Sequence, residues 1–214
     1  MIATDGWRFI VPLWLLTILI AVLYLAGSVW WLIPLILVGL FAIFVTCFFR
    51  DPERKIPEGD ALVLSPGDGK VILIEDAESD SGEKLKLVSI FLSVFNVHVN
   101  RIPIGGKVIK VDYTPGKFHK AFEREAVTEN ERTEITIESA YGRLRFAQVA
   151  GILARRIVCQ LKGDEQVAAG ERFGLIRFGS RVDVWLDPKV ELKVKLGDKV
   201  KGGESIIGAY PDNG

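Results

Sequence analysis

From Phe9 to Gly27 the chain runs 19 residues without a charge, and from Val29 to Phe49 another 21, with little but Gly27 and Ser28 between them. As a helix rising about 1.5 Å per residue, each run is long enough to cross a hydrocarbon layer roughly 30 Å thick. Neither carries a polar stripe, so an amphipathic helix of a soluble protein describes them poorly. The first run is longer than the apolar core of a signal peptide, and no small-residue cleavage site with a polar start follows it. The pattern therefore predicts an N-terminal hydrophobic α-helical hairpin over residues 1–50. Two topologies fit so short a turn: two full crossings, or a hairpin dipping into one leaflet.

Beyond the polar, Pro-containing stretch from Asp51 to Gly59, the period changes to short β-rich runs between turn signals. Ala61–Leu64, the turn Ser65–Gly69 and Lys70–Ile74 read as strand, tight turn, strand. Further strands are expected at Leu85–Leu92, Gly106–Tyr113, Thr133–Glu138, Leu144–Val149, Arg156–Leu161, Gly174–Phe178, Val182–Leu186, Glu191–Val194 and Ser205–Ala209. One short helix is expected at Phe118–Glu125. The run from Val194 to Gly208 has the strand–turn–strand rhythm of lipoyl- or biotinyl-like domains, with Ser65–Val71 as its partner hairpin. The fold class is mainly β (α+β): an antiparallel sheet or barrel-sandwich-like soluble domain over residues 51–214, preceded by the helical hairpin.

Charge sharpens this division. Up to residue 50 the only charged side chains are Asp5, Arg8 and Arg50, while the remainder holds 25 basic and 26 acidic residues. That balance gives no basic excess for a nucleic acid. Arg8 before the first span, and Arg50, Arg54 and Lys55 after the second, put both ends on the cytoplasmic side by the positive-inside rule, with Trp7, Trp14, Trp30 and Trp31 as interfacial anchors. The two cysteines, Cys47 and Cys159, lie in different kinds of segment and suggest neither a disulfide framework nor a metal site; Cys159 reads as a small buried residue.

Candidate chemistry concentrates in RFGLIRFGSRVDVWL, from Arg172 to Leu186, two strands flanking a Gly-Ser step. A glycine bulge or turn explains that step without any chemistry. The chemical reading is that Gly179, lacking a Cβ, permits a strained backbone that sets the Ser180 hydroxyl on the preceding carbonyl. Attack would turn the amide into an ester, elimination would break the chain, and hydrolysis with loss of ammonia would leave a pyruvoyl group on residue 180. Asp68 lies in a Pro-Gly-Asp-Gly turn, where local hydrogen bonding is its default role. His98 follows an apolar-alternating pattern, where a structural histidine is the default. Arg155 and Arg156 read either as a solvated pair at a strand start or as a fork for a phosphodiester.

The neighbours of the Gly-Ser step decide between these readings. Phe178-Gly179-Ser180, SPGDGKV from Ser65, FLSVFNVHVNRIP from Phe91, VAGILARRIV from Val149 and Asn130-Glu131-Arg132 stand in the order of five blocks of the phosphatidylserine decarboxylases. Along most of residues 50–210 the sequence resembles that family's short bacterial and archaeal type. There are departures: Phe178 and Arg181 flank the step where the family has Leu-Gly-Ser-Thr, and longer members carry His-x-x-His where this chain has His98 and Arg101. His119 lies outside that motif and reads as a loop residue.

The resemblance implies a self-processing enzyme, cut into residues 1–179 and 180–214, whose two fragments stay together as a heterodimer. It implies a pyruvoyl cofactor made from Ser180, with no metal, and decarboxylation of phosphatidylserine to phosphatidylethanolamine at the cell membrane. The implied catalytic residues are Gly179, Ser180, His98 and Asp68, with His98 the candidate general acid and the activation of Ser180 open between His98 and Asp68. Arg155 and Arg156 are the implied substrate-binding residues, Arg155 foremost. Two other readings remain: the same chemistry on archaetidylserine, and a membrane-tethered lipoyl-like adaptor without catalysis. The adaptor lacks its Met-Lys-type modification site here, and chain scission separates it from the enzyme.

Overall fold

The computed structural model describes residues 1–79, 82–117, 130–151, 157–177 and 180–211. The expected helix at Phe118–Glu125, His119, Phe178, Gly179, Arg155 and Arg156 lie outside the described residues. The chain divides into two compact units, Met1–Glu53 and Arg54–Gly214.

The first unit is the helical hairpin, α1 (Trp7–Leu25) and α2 (Leu32–Phe48), with Gly27 at φ +103° in the turn, a conformation that favours glycine. Most of both apolar surfaces is exposed, as a lipid solvent would require. Several polar side chains find partners within the unit. The hydroxyls of Thr17 and Thr46 donate to Leu13 O and Ala42 O one turn back, and Trp14 Nε1 donates to Thr46 Oγ1 at 3.1 Å across the helices. The open ends are zipped together: Ala3 N donates to Phe49 O at 2.9 Å and Asp51 N to Met1 O at 2.8 Å. Both ends of the hairpin therefore emerge together.

In the second unit, the strands of the described residues are β1 (Leu62–Leu64), β2 (Gly69–Glu78), β3 (Lys84–Leu92), β4 (Val99–Arg101), β5 (Gly106–Thr114), β6 (Arg132–Ser139), β7 (Gly142–Ala150), β8 (Ile157–Cys159), β9 (Gln166–Val167), β10 (Arg172–Ile176), β11 (Ser180–Leu186), β12 (Glu191–Leu192), β13 (Lys199–Val200) and β14 (Ile206–Ala209). Eight form a curled antiparallel sheet in the order β13-β2-β3-β11-β7-β6-β5-β9; smaller sheets run β1-β14-β12 and β4-β10-β8. One core of Val, Ile, Leu and Phe side chains fills the concavity. Strand β11 is central, and every residue in it is buried. By alternation Val182, Val184 and Leu186 enter that core, while Trp185 joins a second cluster with Leu87, Ala147 and Val149 on the opposite face.

Strands β3, β5, β6, β7 and β11 lie within one or two residues of their expected positions, while β2 runs on to Glu78, four residues past its expected end at Ile74. The C-terminal run pairs with the Ser65–Val71 segment as expected where β13 meets Gly69 and Lys70 of β2, while β14 pairs with β1, just before that segment. Three features differ. Strands β4, β9 and β13 were not anticipated, because two or three residues carry no readable period. The turn after β1 does not close a hairpin; it passes the chain from one sheet to another. Cys159 is half-buried rather than buried, and burial pushes its thiol pKa up.

Strand β10 is squeezed between β4 and β8, and at Gly174 an added Cβ would lie 2.0 Å from Val158 O. Backbone cannot yield as a side chain does, so Gly174→Ala is expected to cost about 1–3 kcal/mol. A lowered thermal unfolding midpoint of the detergent-purified protein would register it; an unchanged midpoint would contradict the contact.

Candidate active site

Strand β10 ends at Ile176 and Ser180 opens β11, so the Gly-Ser step lies between two strands of different sheets. Ser180 pairs with Leu92, the last residue of β3, and with Ala150, the last residue of β7. It is fully buried, and its Oγ has no hydrogen-bond partner among the described residues. Leaving a buried hydroxyl unsatisfied costs about 1–3 kcal/mol, a cost shared here by other buried groups such as Gln148 Oε1 and the Tyr210 hydroxyl.

The strand ends around Ser180 gather the other sequence blocks. After Leu92 a tight turn is held by Asn96, whose Oδ1 accepts from Ser93 N at 2.9 Å and Ser93 Oγ at 2.7 Å. His98 follows, only 2% exposed, with Nδ1 3.0 Å from Asn96 O. A carbonyl only accepts, so in the neutral ring this contact puts the proton on Nδ1 and makes Nε2 the basic nitrogen. The His98 carbonyl accepts from Ile176 N at 3.4 Å, which sets its backbone beside the end of β10. On the β7 side, Asn130 Nδ2 donates to Ala150 O at 2.7 Å and Ala150 N to Glu131 O at 2.9 Å. Ile157, just after the Arg155-Arg156 pair in sequence, lies opposite Ile176.

Asp68 also belongs to this end of the sheet. A Cβ on its neighbour Gly67 would lie 3.3 Å from the Leu92 side chain, and one on Gly69 would lie 2.2 Å from Phe91 O. Its carboxylate is engaged by partners distant in sequence. Arg54 Nη2 donates to both oxygens at 2.9 Å, and Gly202 N donates to Oδ1 at 2.8 Å. Local turn bonding falls instead to Ser65, whose Oγ donates to Gly67 O at 2.7 Å. Arg101 is buried and donates through Nη1 to Gly170 O at 3.0 Å, a backbone-holding role.

Two buried polar groups went unnoticed in the sequence. Gln148 Nε2 donates to Asn100 Oδ1 at 2.9 Å, and Asn100 Nδ2 reaches Pro66 O at 3.4 Å. This amide chain links β7, β4 and the turn that bears Asp68. The second is Arg181 with Asp183: Nε lies 2.9 Å from Oδ1 and Nη2 donates to Oδ2 at 2.9 Å, both side chains fully buried. Burial pushes the Asp183 carboxyl up, opposed by Arg181, Ser89 and Arg132. A signal for this pair was present, since residues i and i+2 of a strand share a face. Here that face is the one opposite Ser180.

A buried pair is costly to break and less costly to replace as a whole. Asp183→Leu alone, which strands the guanidinium, is expected to lose about 3–5 kcal/mol. The double variant Arg181→Met with Asp183→Leu should recover most of that loss. Unfolding midpoints of the three proteins check this; a double variant no better than the single one would refute it.

Comparison with known proteins gives a consistent result. The family model described as phosphatidylserine decarboxylase matches residues 41–208. The phosphatidylserine decarboxylase proenzyme of Chlorobaculum tepidum is 51% identical over 169 residues, 78% of each chain. That of Syntrophus aciditrophicus is 46% identical over 213 residues, 98% of this chain and 97% of the relative. The Pelodictyon phaeoclathratiforme proenzyme is 41% identical over 212 residues, 98% of this chain and all of the relative.

Proposed function

Because the chain belongs to the phosphatidylserine decarboxylase family, we propose that it decarboxylates phosphatidylserine to phosphatidylethanolamine after cutting itself between Gly179 and Ser180. The observation that carries the self-cleavage is the Ser180 hydroxyl, buried and without a hydrogen-bond partner among the described residues, at the start of the central strand. Its Oγ attacks the Gly179 carbonyl carbon; the peptide C–N bond breaks as the C–O bond forms, and the Ser180 nitrogen takes up a proton. Loss of the Cα proton then expels the Gly179 carboxylate, ending the first fragment at residue 179. Water replaces the nitrogen on residue 180, which leaves as ammonia.

The pyruvoyl ketone so formed supplies an electron sink for loss of carbon dioxide from an amino-acid headgroup. His98 is assigned the proton transfers: its Nε2 takes the Ser180 proton, and later delivers a proton to the substrate carbon that has lost carbon dioxide. Asp68 is the fixed negative charge at the same end of the sheet. Arg155 and Arg156 are assigned to the lipid phosphodiester by their chemistry, a guanidinium fork for phosphate oxygens.

Several features support a lasting complex of the two fragments. Residues 180–214 include β11, β13 and β14, which pair with β3, β7, β2 and β1 of the larger piece. The two apolar helices support membrane association, and Arg8, Arg50, Arg54 and Lys55 support a cytoplasmic site.

Intact-mass measurement of the wild type beside Ser180→Ala tests the cleavage. The expected result is two wild-type fragments, 1–179 and 180–214, the smaller lighter than a serine-started peptide by one ammonia, with the Ala variant whole. A folded, uncut wild type would overturn the proposal. For catalysis, His98→Ala is expected to lower the decarboxylation rate by about 100-fold or more on phosphatidylserine vesicles; carbon dioxide release at the wild-type rate would remove His98 from the role. Assay on archaetidylserine distinguishes the headgroup's lipid partner.

A further inference from the structure

The first residue of the soluble unit is also one of its most buried cations. The Arg54 side chain is 6% exposed, and the Asp68 carboxylate it meets is 14% exposed. Nη2 lies 2.9 Å from each Asp68 oxygen, so a single nitrogen bridges the carboxylate. The other end of the guanidinium turns to Glu204, with Nη1 3.6 Å from Oε2, and Lys55 N donates to Glu204 Oε1 at 3.4 Å. Fastening a linker to a domain needs no such burial. Glu204 alone would hold Arg54 at the surface, without the several kcal/mol that desolvating a guanidinium costs.

What the burial does achieve is orientation. Asp68 Oδ1 takes two donors, Arg54 Nη2 and Gly202 N, and Oδ2 takes Arg54 Nη2. The carboxylate plane is thereby fixed from two sides, by the linker and by the turn before β14. The Asp68 backbone is fixed as well: Gly67 packs on Leu92, the residue paired with Ser180, and Arg101 N donates to Pro66 O at 2.9 Å. A path of charge and backbone contacts runs from Arg54 through Asp68 and Gly67 to Leu92, the residue paired with Ser180.

We infer that Arg54 is a positioning residue for self-cleavage, acting through Asp68: it sets the Asp68 carboxylate in the orientation that cleavage at Ser180 requires. The junction between the helical hairpin and the soluble unit is then part of the processing machinery. This rests on the proposed cleavage at Ser180.

The test follows the fraction of full-length chain cut over time during cell-free synthesis into lipid nanodiscs. Arg54→Ala is expected to slow the first-order rate by about ten-fold or more, since small displacements of a positioned group carry losses of that order. Arg54→Lys, which keeps one donor on Asp68, should cut at an intermediate rate, and it serves as the readout if the Ala variant does not fold. Glu204→Gln removes the other half of the latch and is expected to stay within about two-fold of wild type. The pair Arg54→Ala with Asp68→Asn should cut no more slowly than Asp68→Asn alone, because a residue acting through another adds nothing once that one is gone.

Wild-type rates in both Arg54 variants, losses that multiply in the double variant, or equal slowing by Glu204→Gln would each overturn the inference while leaving Ser180 cleavage in place. An uncut wild type would overturn both.

Discussion

The structure turns on β11 having neither a free edge nor a free face. Strand β3 pairs along its whole length on one side and β7 along nearly all of it on the other, while Val182, Val184 and Leu186 enter the main core. Opposite them, the Arg181–Asp183 pair and Trp185 are buried too. A strand held in four directions has one register, and a slip of one residue would exchange its apolar and charged faces. Its first residue, Ser180, inherits that precision. Strands β3 and β7 end where β11 begins, so the described turns at this end of the sheet, after β3 and before β2, lie near the same residue.

Those turns are joined by polar groups that apolar packing alone would not supply. Asn100 and Gln148 connect β4, β7 and the Pro66 carbonyl, while Asn96 ties Ser93 to the His98 ring. Hydrogen bonds inside a low-dielectric interior are strong when satisfied and costly when not, so such chains fix geometry sharply. The Ser180 hydroxyl has no hydrogen-bond partner among the described residues, beside neighbours such as Asn130 and Asn96 whose amides have theirs.

Much of this was legible in the sequence, for reasons of period. Strands β3, β6 and β7 alternate over eight or nine residues, and the hairpin announces itself by length and lack of charge. Ser180 was legible as the hinge between two β runs, and the block order gave His98 and Asp68 their candidacy. Asp68 read as a local turn former, yet its partners are Arg54, 14 residues before it, and Gly202, 134 residues after it. No local pattern encodes such a meeting; it exists only once the sheets assemble. The Asn100–Gln148 bond, across 48 residues, was hidden for the same reason. Strands β4, β9 and β13 escaped because pairing, not composition, makes them strands. Arg181 and Asp183 were the missed opportunity: two opposite charges at i and i+2 inside an apolar strand already imply a shared, buried face.

The way residues 180–214, about the last sixth of the chain, are woven into the sheets has a thermodynamic consequence for the proposed cut before β11. Strands β11, β13 and β14 enter two different sheets, each by pairing with strands of the larger piece. While the chain is whole, unfolding is a unimolecular event whose reversal needs no encounter. Once it is severed, unfolding becomes dissociation, and recovery depends on concentration and on two pieces finding each other. At low concentration that reunion is slow. The working lifetime of such a cut form is then set by the height of its unfolding barrier rather than the depth of its free-energy well.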